Sequence, residues 1–276
     1  MNIKTTWEII TPEKAKEILK KNGKNRSISW STVNAYARDM AKGYWTEGVG
    51  VGISIDENGI LRDGQHRLEA IVKSGVSVRM LISRGTDPNG IYDCNRKRSV
   101  SDQISIISRD FESVYKSPRY IGCARVLLTP NNEGTHMVAT AKEVEAFTRR
   151  HKTELDGFFL KFPQTKSKGF YVVAVILALF TAYANGIGME DILHFYSVLV
   201  SGMSTGEEDY PIVAYRNYLL ERDRAVPPTR EEVSRCQYAL KKYLDCSCTK
   251  RSKSPENLIW PYPYANERVV TKGENK

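Results

Sequence analysis

The chain has 276 residues, 41% of them hydrophobic, which is ample for a buried core in one large domain or two modest ones. Its 41 basic and 32 acidic residues leave a formal charge of +9, a surplus that points to an anionic partner, nucleic acid or nucleotide. The five cysteines are an odd number without the spacing of a disulfide framework, and the longest apolar run, Phe170 to Ala184, is too short and too polar for a membrane span, so a reducing cytoplasm is expected.

No apolar segment follows a basic start, so no signal peptide is expected. Thr11-Pro12-Glu13 starts a helix in good form, with a hydroxyl cap, proline at the first helical position and acid in the first turn. That helix presents Ala15, Ile18 and Leu19 and ends near Asn22-Gly23, after which Asn25-Arg26 sit in a polar loop. A second helix is predicted from Ser29 or Ser31, with Val33, Ala37 and Met40 at helical spacing, closing at Lys42-Gly43. Tyr44-Trp45 then leads into a strand, a tight turn at Asn58-Gly59 and a short second strand.

The run Asp63-Gly64-Gln65-His66-Arg67 opens the next helix, and the chain is organised around it. A helix start exposes unpaired backbone N–H groups and a partial positive charge, which suit a phosphate. Gly64 would let a ligand approach the backbone, Arg67 offers a planar fork for phosphate oxygens, and Gln65 and His66 can each donate or accept. The same residues also fit a plainer reading: Asp63 as a cap, Gly64 as a permissive turn residue, and the rest as the wet face of an amphipathic helix. Leu68, Ala70, Ile71 and Val72 turn that helix apolar for docking on a sheet, Ser74-Gly75 stops it, and residues 76–83 read as a strand.

A second polar cluster, Asp93 to Asp102, holds Arg96, Lys97 and Arg98 followed by Ser99 or Ser101 as a helix cap. It reads as a further phosphate-facing element or as a solvated basic turn. From about Asp102 onward only helical patterns recur, over 113–128, 140–151, 170–186, 189–201, 207–224 and 229–247. Thr140 caps one of them and Pro227-Pro228-Thr229 the last, while 170–184 reads as an interior spine. Cys246-Ser247-Cys248 would bind metal only with further ligands nearby. Trp260-Pro261-Tyr262-Pro263-Tyr264 should pack as an extended strap, with disorder over 271–276. The expected class is therefore α+β: a domain over 1–102 with a small mixed sheet, a helical domain over 103–256 and an extended tail over 257–276.

The residues Thr11-Pro12-Glu13, Asn25-Arg26, Tyr36 to Met40, Gly43-Tyr44-Trp45 and, above all, Asp63 to Leu68 resemble the DGQHR-type proteins of the ParB/sulfiredoxin superfamily, in particular a phage and prophage group. In that group an Asp-x-x-Arg-x-Arg-Ser-x-x-Asp segment follows, matched here by Asp93, Arg96, Arg98, Ser99 and Asp102. The resemblance implies nucleotide chemistry at a helix start in phage DNA metabolism or modification. Gly64, Gln65, His66 and Arg67 would cradle the phosphates of an NTP, ATP foremost, and Asp63 would cap the helix or hold Mg²⁺. Arg26, Arg96, Arg98 and Ser99 would add contacts. The ParB Gly-Glu-Arg-Arg motif and helix-turn-helix domain are not visible, and the reactive cysteine of sulfiredoxin's Gly-Cys-His-Arg is Gln65 here. These departures speak against CTP-clamp behaviour and sulfinic-acid repair.

Three functions follow as expectations. The first is an NTP-binding protein, in its strongest form an NTPase or phosphotransferase with Asp63, His66 and Arg67 at the chemistry and a base drawn from Glu47, Asp56 or Asp63. The second is a non-catalytic DNA-binding regulator or defence antagonist in which Arg96, Lys97, Arg98, Arg26, Tyr44 and Trp45 track a phosphate backbone. The third, a ParB-like nuclease, has only Asp63 and Glu69 as carboxylates near the motif. The sequence leaves the oligomeric state open.

Overall fold

The computed structural model describes residues 3–22, 25, 27–47, 52–88, 99–129, 138–164, 169–170, 172–221, 229–247, 249 and 252–267. The protein is α+β, with a four-stranded mixed sheet followed by a mostly helical carboxy-terminal half. Its described residues divide into two units: 3–103 with 129 and 138–143, and 104–128 with 144–267.

In the first unit the order is β1 (Lys4–Ile10), α1 (Pro12–Leu19), α2 (Trp30–Ala41), β2 (Ile53–Asp56), β3 (Leu61–Asp63), α3 (Gln65–Ser74) and β4 (Val78–Thr86). The strands lie in the order β1-β4-β2-β3, with β2 and β4 parallel and both outer pairs antiparallel. One sheet face carries Ile10, Val78, Met80, Ile82, Ile53 and Leu61 into the core, where they meet Ala15, Val33, Ala37, Met40, Leu68 and Ile71 of the helices. Each fully buried aliphatic side chain contributes roughly 1.5–3 kcal/mol of transfer free energy, so this shared face holds the helices on the sheet.

Local signals explain most of the boundaries. Thr11 Oγ1 accepts the Lys14 N–H at 3.2 Å with Pro12 in the first turn, and α2 stops where Gly43 turns left-handed at φ 69°. In the β2–β3 turn Asp56 Oδ1 accepts N–H groups from Asn58 at 2.9 Å and Ile60 at 2.8 Å, and its Oδ2 accepts Arg62 Nε at 2.7 Å. Strand β1 is rich in strand-favouring residues, Thr5, Thr6, Trp7, Ile9 and Ile10, but its alternation is inverted. Its alternation points Thr6 and Glu8 inward and leaves Trp7 and Ile9 exposed, so the ladder with β4, not amphipathicity, makes it a strand.

The second unit is built from helices, and α4 (Val100–Ile107) leads into it. The single helix expected over 113–128 is two, α5 (Ser113–Lys116) and α6 (Pro118–Leu128). Pro118 excludes Ser117 from helical geometry and sets it at φ −70°, ψ 142°. Similarly α7 (Ala141–Arg150) breaks at His151 before an unexpected α8 (Lys152–Phe159). Then come α9 (Val173–Ala184), α10 (Met189–Ser201), α11 (Tyr210–Glu221) and α12 (Thr229–Leu244). Helix α9 is buried along its length from Ala174 to Ala182, as a spine should be.

Residues 252–264 run without helix or strand; the strap expected over 260–264 lies within them, and the described stretch begins at 252, inside the expected helical domain. The fully buried Gln237 fastens them, because its amide donates to Thr181 Oγ1 and the Trp260 carbonyl, both at 2.8 Å, and accepts N–H groups from Ile259 at 2.9 Å and Trp260 at 3.1 Å. Among the described residues no helix is long and apolar enough to cross a membrane.

Candidate functional site

The DGQHR run lies where the sequence puts it, at the exit of β3 and the start of α3, but most of its side chains turn inward. Gly64 is left-handed at φ 103°, and a Cβ there would come within 3.0 Å of Ile53 Cγ1 and 3.3 Å of Ile53 Cα. Close packing on β2 therefore accounts for the glycine, a role the expected ligand approach does not need to explain. Gln65 is 5% exposed, and its Oε1 accepts from Asn22 Nδ2 at 3.1 Å. His66 is 9% exposed, and its Nε2 accepts the Ser29 backbone N–H at 2.9 Å. An acceptor Nε2 is unprotonated, so this nitrogen serves as an anchor for the loop and is not free to donate to a phosphate.

Asn22 and Ser29, between α1 and α2, are thereby held beside the start of α3. The Leu61 N–H bonds to the Lys21 carbonyl at 2.9 Å, Asn25 Nδ2 donates to the Leu61 carbonyl at 2.9 Å, and Asn22 bridges to Leu61 of β3. These contacts cover the outer edge of β3, the row of backbone groups that an edge strand would otherwise present. Asn22, Asn25 and Ser29 are thus part of the constellation, although nothing in their spacing marked them beforehand.

Arg67 and Asp63 behave differently. Arg67 Nη2 donates to Asp63 Oδ2 at 2.9 Å; the Arg67 side chain is 12% exposed and that of Asp63 48%. They are the two members of the run that combine a formal charge with access to solvent.

The remaining expected residues are dispersed or lie outside the described residues, as Arg26, Arg96, Lys97 and Arg98 do. Ser99 is exposed, and its hydroxyl donates to Asp102 Oδ2 at 2.6 Å while accepting the Asp102 N–H at 3.1 Å, a reciprocal cap on α4. Asp56 is a turn staple: burial opposes its charge, and hydrogen bonds from Ile60, Arg62 and Asn58 outweigh that, holding it below the usual carboxylate range. Glu47 accepts the Arg79 N–H at 3.4 Å. Trp45, partly buried, packs on the core with Tyr36, ring centroids 5.3 Å apart. Among the described residues no three metal-ligating side chains cluster.

The sequence also gave no notice of a buried charge cluster in the same unit. Arg38, 7% exposed, donates through Nε at 3.2 Å and Nη2 at 3.3 Å to Glu143, which also takes Lys42 Nζ at 2.8 Å. Thr140 Oγ1 donates to Asp39 Oδ1 at 2.7 Å, and burial first, with the charge of Glu143 behind it, raises Asp39 to about 6. The Thr140-x-x-Glu143 pattern is a capping box, closed at 2.9 and 3.2 Å, and is the one signal that could have drawn attention to Glu143. The cluster docks 138–143 on α2 and has no cavity among its attributes.

No family model, curated protein or solved structure matches this chain. The function must therefore be argued from the geometry above.

Proposed function

We propose that the first unit binds the phosphates of a nucleotide, an NTP with ATP foremost, at the amino end of α3, with Arg67 and Asp63 as the contacting side chains. The observation that carries this reading is the Arg67–Asp63 pair itself, at 2.9 Å and at the positive end of a ten-residue helix. Its bond to Asp63 fixes the guanidinium, whose remaining N–H groups suit phosphate oxygens. Gln65 and His66 act as positioning residues, holding Asn22 and Ser29 beside the helix start.

Mg²⁺ fits this arrangement as an ion brought by the nucleotide, since one carboxylate plus substrate phosphates is a usual ligand set for it, and Asp63 is half-exposed. When bound it would neutralise phosphate charge. The reading is one of binding: with His66 committed to Ser29, nothing at this mouth supports a role for it as general base or acid. Calorimetry with the four NTPs, with and without Mg²⁺, tests it. Binding weakened about tenfold or more by Arg67→Ala is expected, as loss of a charge-assisted contact; no binding, or binding indifferent to Arg67→Ala, overturns it.

A second reading, single-stranded nucleic acid on the sheet face away from the helices, is favoured by one feature. Trp7 is 40% exposed there, with the Arg79 guanidinium 5.3 Å from its ring centroid. Oligonucleotide affinity that falls steeply with salt and is lost in Trp7→Ala supports it; salt-independent or absent binding rejects it.

A further inference from the structure

We infer that the first unit carries a second ligand site, a cleft at the opposite end of β2 from the Arg67–Asp63 pair, shaped for a small molecule with a phosphate or carboxylate head and an apolar body. The cleft is a broad, solvent-open depression of about 720 Å³, within the size range of small-molecule sites. One wall is the α1 side, where Lys14, Glu17, Ile18 and Lys21 recur at the three- and four-residue spacing of a single helix face. The other wall is the turn end of the sheet, from Ile55 to Gly59 and at Arg84-Gly85. Those residues close the carboxyl ends of β2 and β4, which are parallel neighbours, and that is where open α/β sheets take their ligands. Because Asp63 pairs with Ser54 near the start of β2 and Asp56 ends it, the two sites are separated by most of the strand.

The charges select the ligand. Arg84 and Lys14 both bond Glu8, Lys14 Nζ at 2.8 Å and Arg84 through two nitrogens. The Arg84 hydrogen bond is the main reason Glu8 falls to about 2, so its carboxylate is charged near neutral pH. Glu8 neutralises one of the two cations. Lys21 forms no ion pair with another described residue, and its Nζ lies over Gly59, 3.9 Å from where a Cβ would be. The acids are largely occupied, Glu17 by Lys20 at 2.5 Å and Asp56 by Arg62 and its turn, which leaves Glu57. Lys21, together with Lys14 and Arg84, which share Glu8, therefore lines a cleft whose apolar lining is Ile18 and Ile55. Gly59 and Gly85, left-handed at φ 75° and 76°, add backbone that a ligand can approach without meeting a side chain.

The test uses the intact chain and four probes: phenyl phosphate, benzoate, inorganic phosphate and phenol, titrated by ligand-observed NMR. Phenyl phosphate or benzoate should bind more tightly than inorganic phosphate, and phenol should not bind. Preference for the first names a phosphate head, for the second a carboxylate. Lys21→Glu, an exposed change, should weaken binding about tenfold or more without moving the melting temperature, and Lys14→Ala should weaken it less. Arg67→Ala should leave it untouched, which separates this site from the one at α3. Phenol binding as well as phenyl phosphate, no binding by either anion, or an affinity unchanged in Lys21→Glu would overturn the inference.

Discussion

Gly64 separates two explanations of the DGQHR run, and Gly64→Ala decides between them. At φ 103° an L-residue is strained by about 1–2 kcal/mol, and the new Cβ, 3.0 Å from Ile53 Cγ1 and 3.3 Å from Ile53 Cα, adds an overpacking cost of about 1–3 kcal/mol because the backbone cannot retreat. The expected loss is about 2–5 kcal/mol, or roughly 10–20 °C in the transition of the first unit. Gly75 is the internal control: it is also left-handed, at φ 69°, but a Cβ there meets nothing within 4 Å, so Gly75→Ala should cost only the backbone strain, about 1–2 kcal/mol. Urea unfolding of both variants, followed by circular dichroism, gives the comparison. Equal losses, or a Gly64→Ala protein as stable as the wild type, would refute the packing argument.

Other consequences can be checked in the same assay. Burial raises Asp39 from the usual carboxylate value of 3.8 to about 6, so the folded state holds the proton more tightly than the unfolded one and stability falls as pH rises between them. Asp39→Asn, which keeps an acceptor for Thr140, should therefore stabilise the protein by about 1–3 kcal/mol at pH 8 and by nothing below about pH 4; a pH-independent effect would show that the carboxyl does not titrate as its surroundings dictate. Gln237→Leu strands two buried donors' partners and two N–H groups of the strap, costing about 2–4 kcal/mol, and limited proteolysis should then cut within 252–264 first. Arg38→Met should cost less than about 3–5 kcal/mol, the cost of a stranded buried charge, because Glu143 keeps Lys42 as its cation, and adding Glu143→Leu should recover part of it.

Much of this architecture was legible in the residues because it rests on local chemistry. The Thr11-Pro12 start, the Gly43 and Gly75 stops and the apolar α9 are each written in a few neighbouring side chains, and the structure places them accordingly. What was hidden depends on distant partners. Strand β1 is held by its pairing with β4 and turns Trp7 and Ile9 outward, so its period-2 pattern runs opposite to its burial. The direction of His66 and Gln65 is set by Ser29 and Asn22, some forty positions away, and a run of polar residues at a helix start looks the same whether it faces solvent or a covering loop. Asp39 meets Thr140, and Arg38 meets Glu143, across about a hundred residues, beyond the reach of any spacing rule.

A crystal structure of the protein soaked with ATP and Mg²⁺ tests the central proposal most directly. Density for phosphate within hydrogen-bonding distance of the Arg67 guanidinium, with Gln65 and His66 still bonded to Asn22 and Ser29, is the predicted result. A nucleotide seated in the Lys14–Lys21–Arg84 cleft instead, or an Arg67–Asp63 pair left unaltered with no nucleotide beside it, would contradict the proposal.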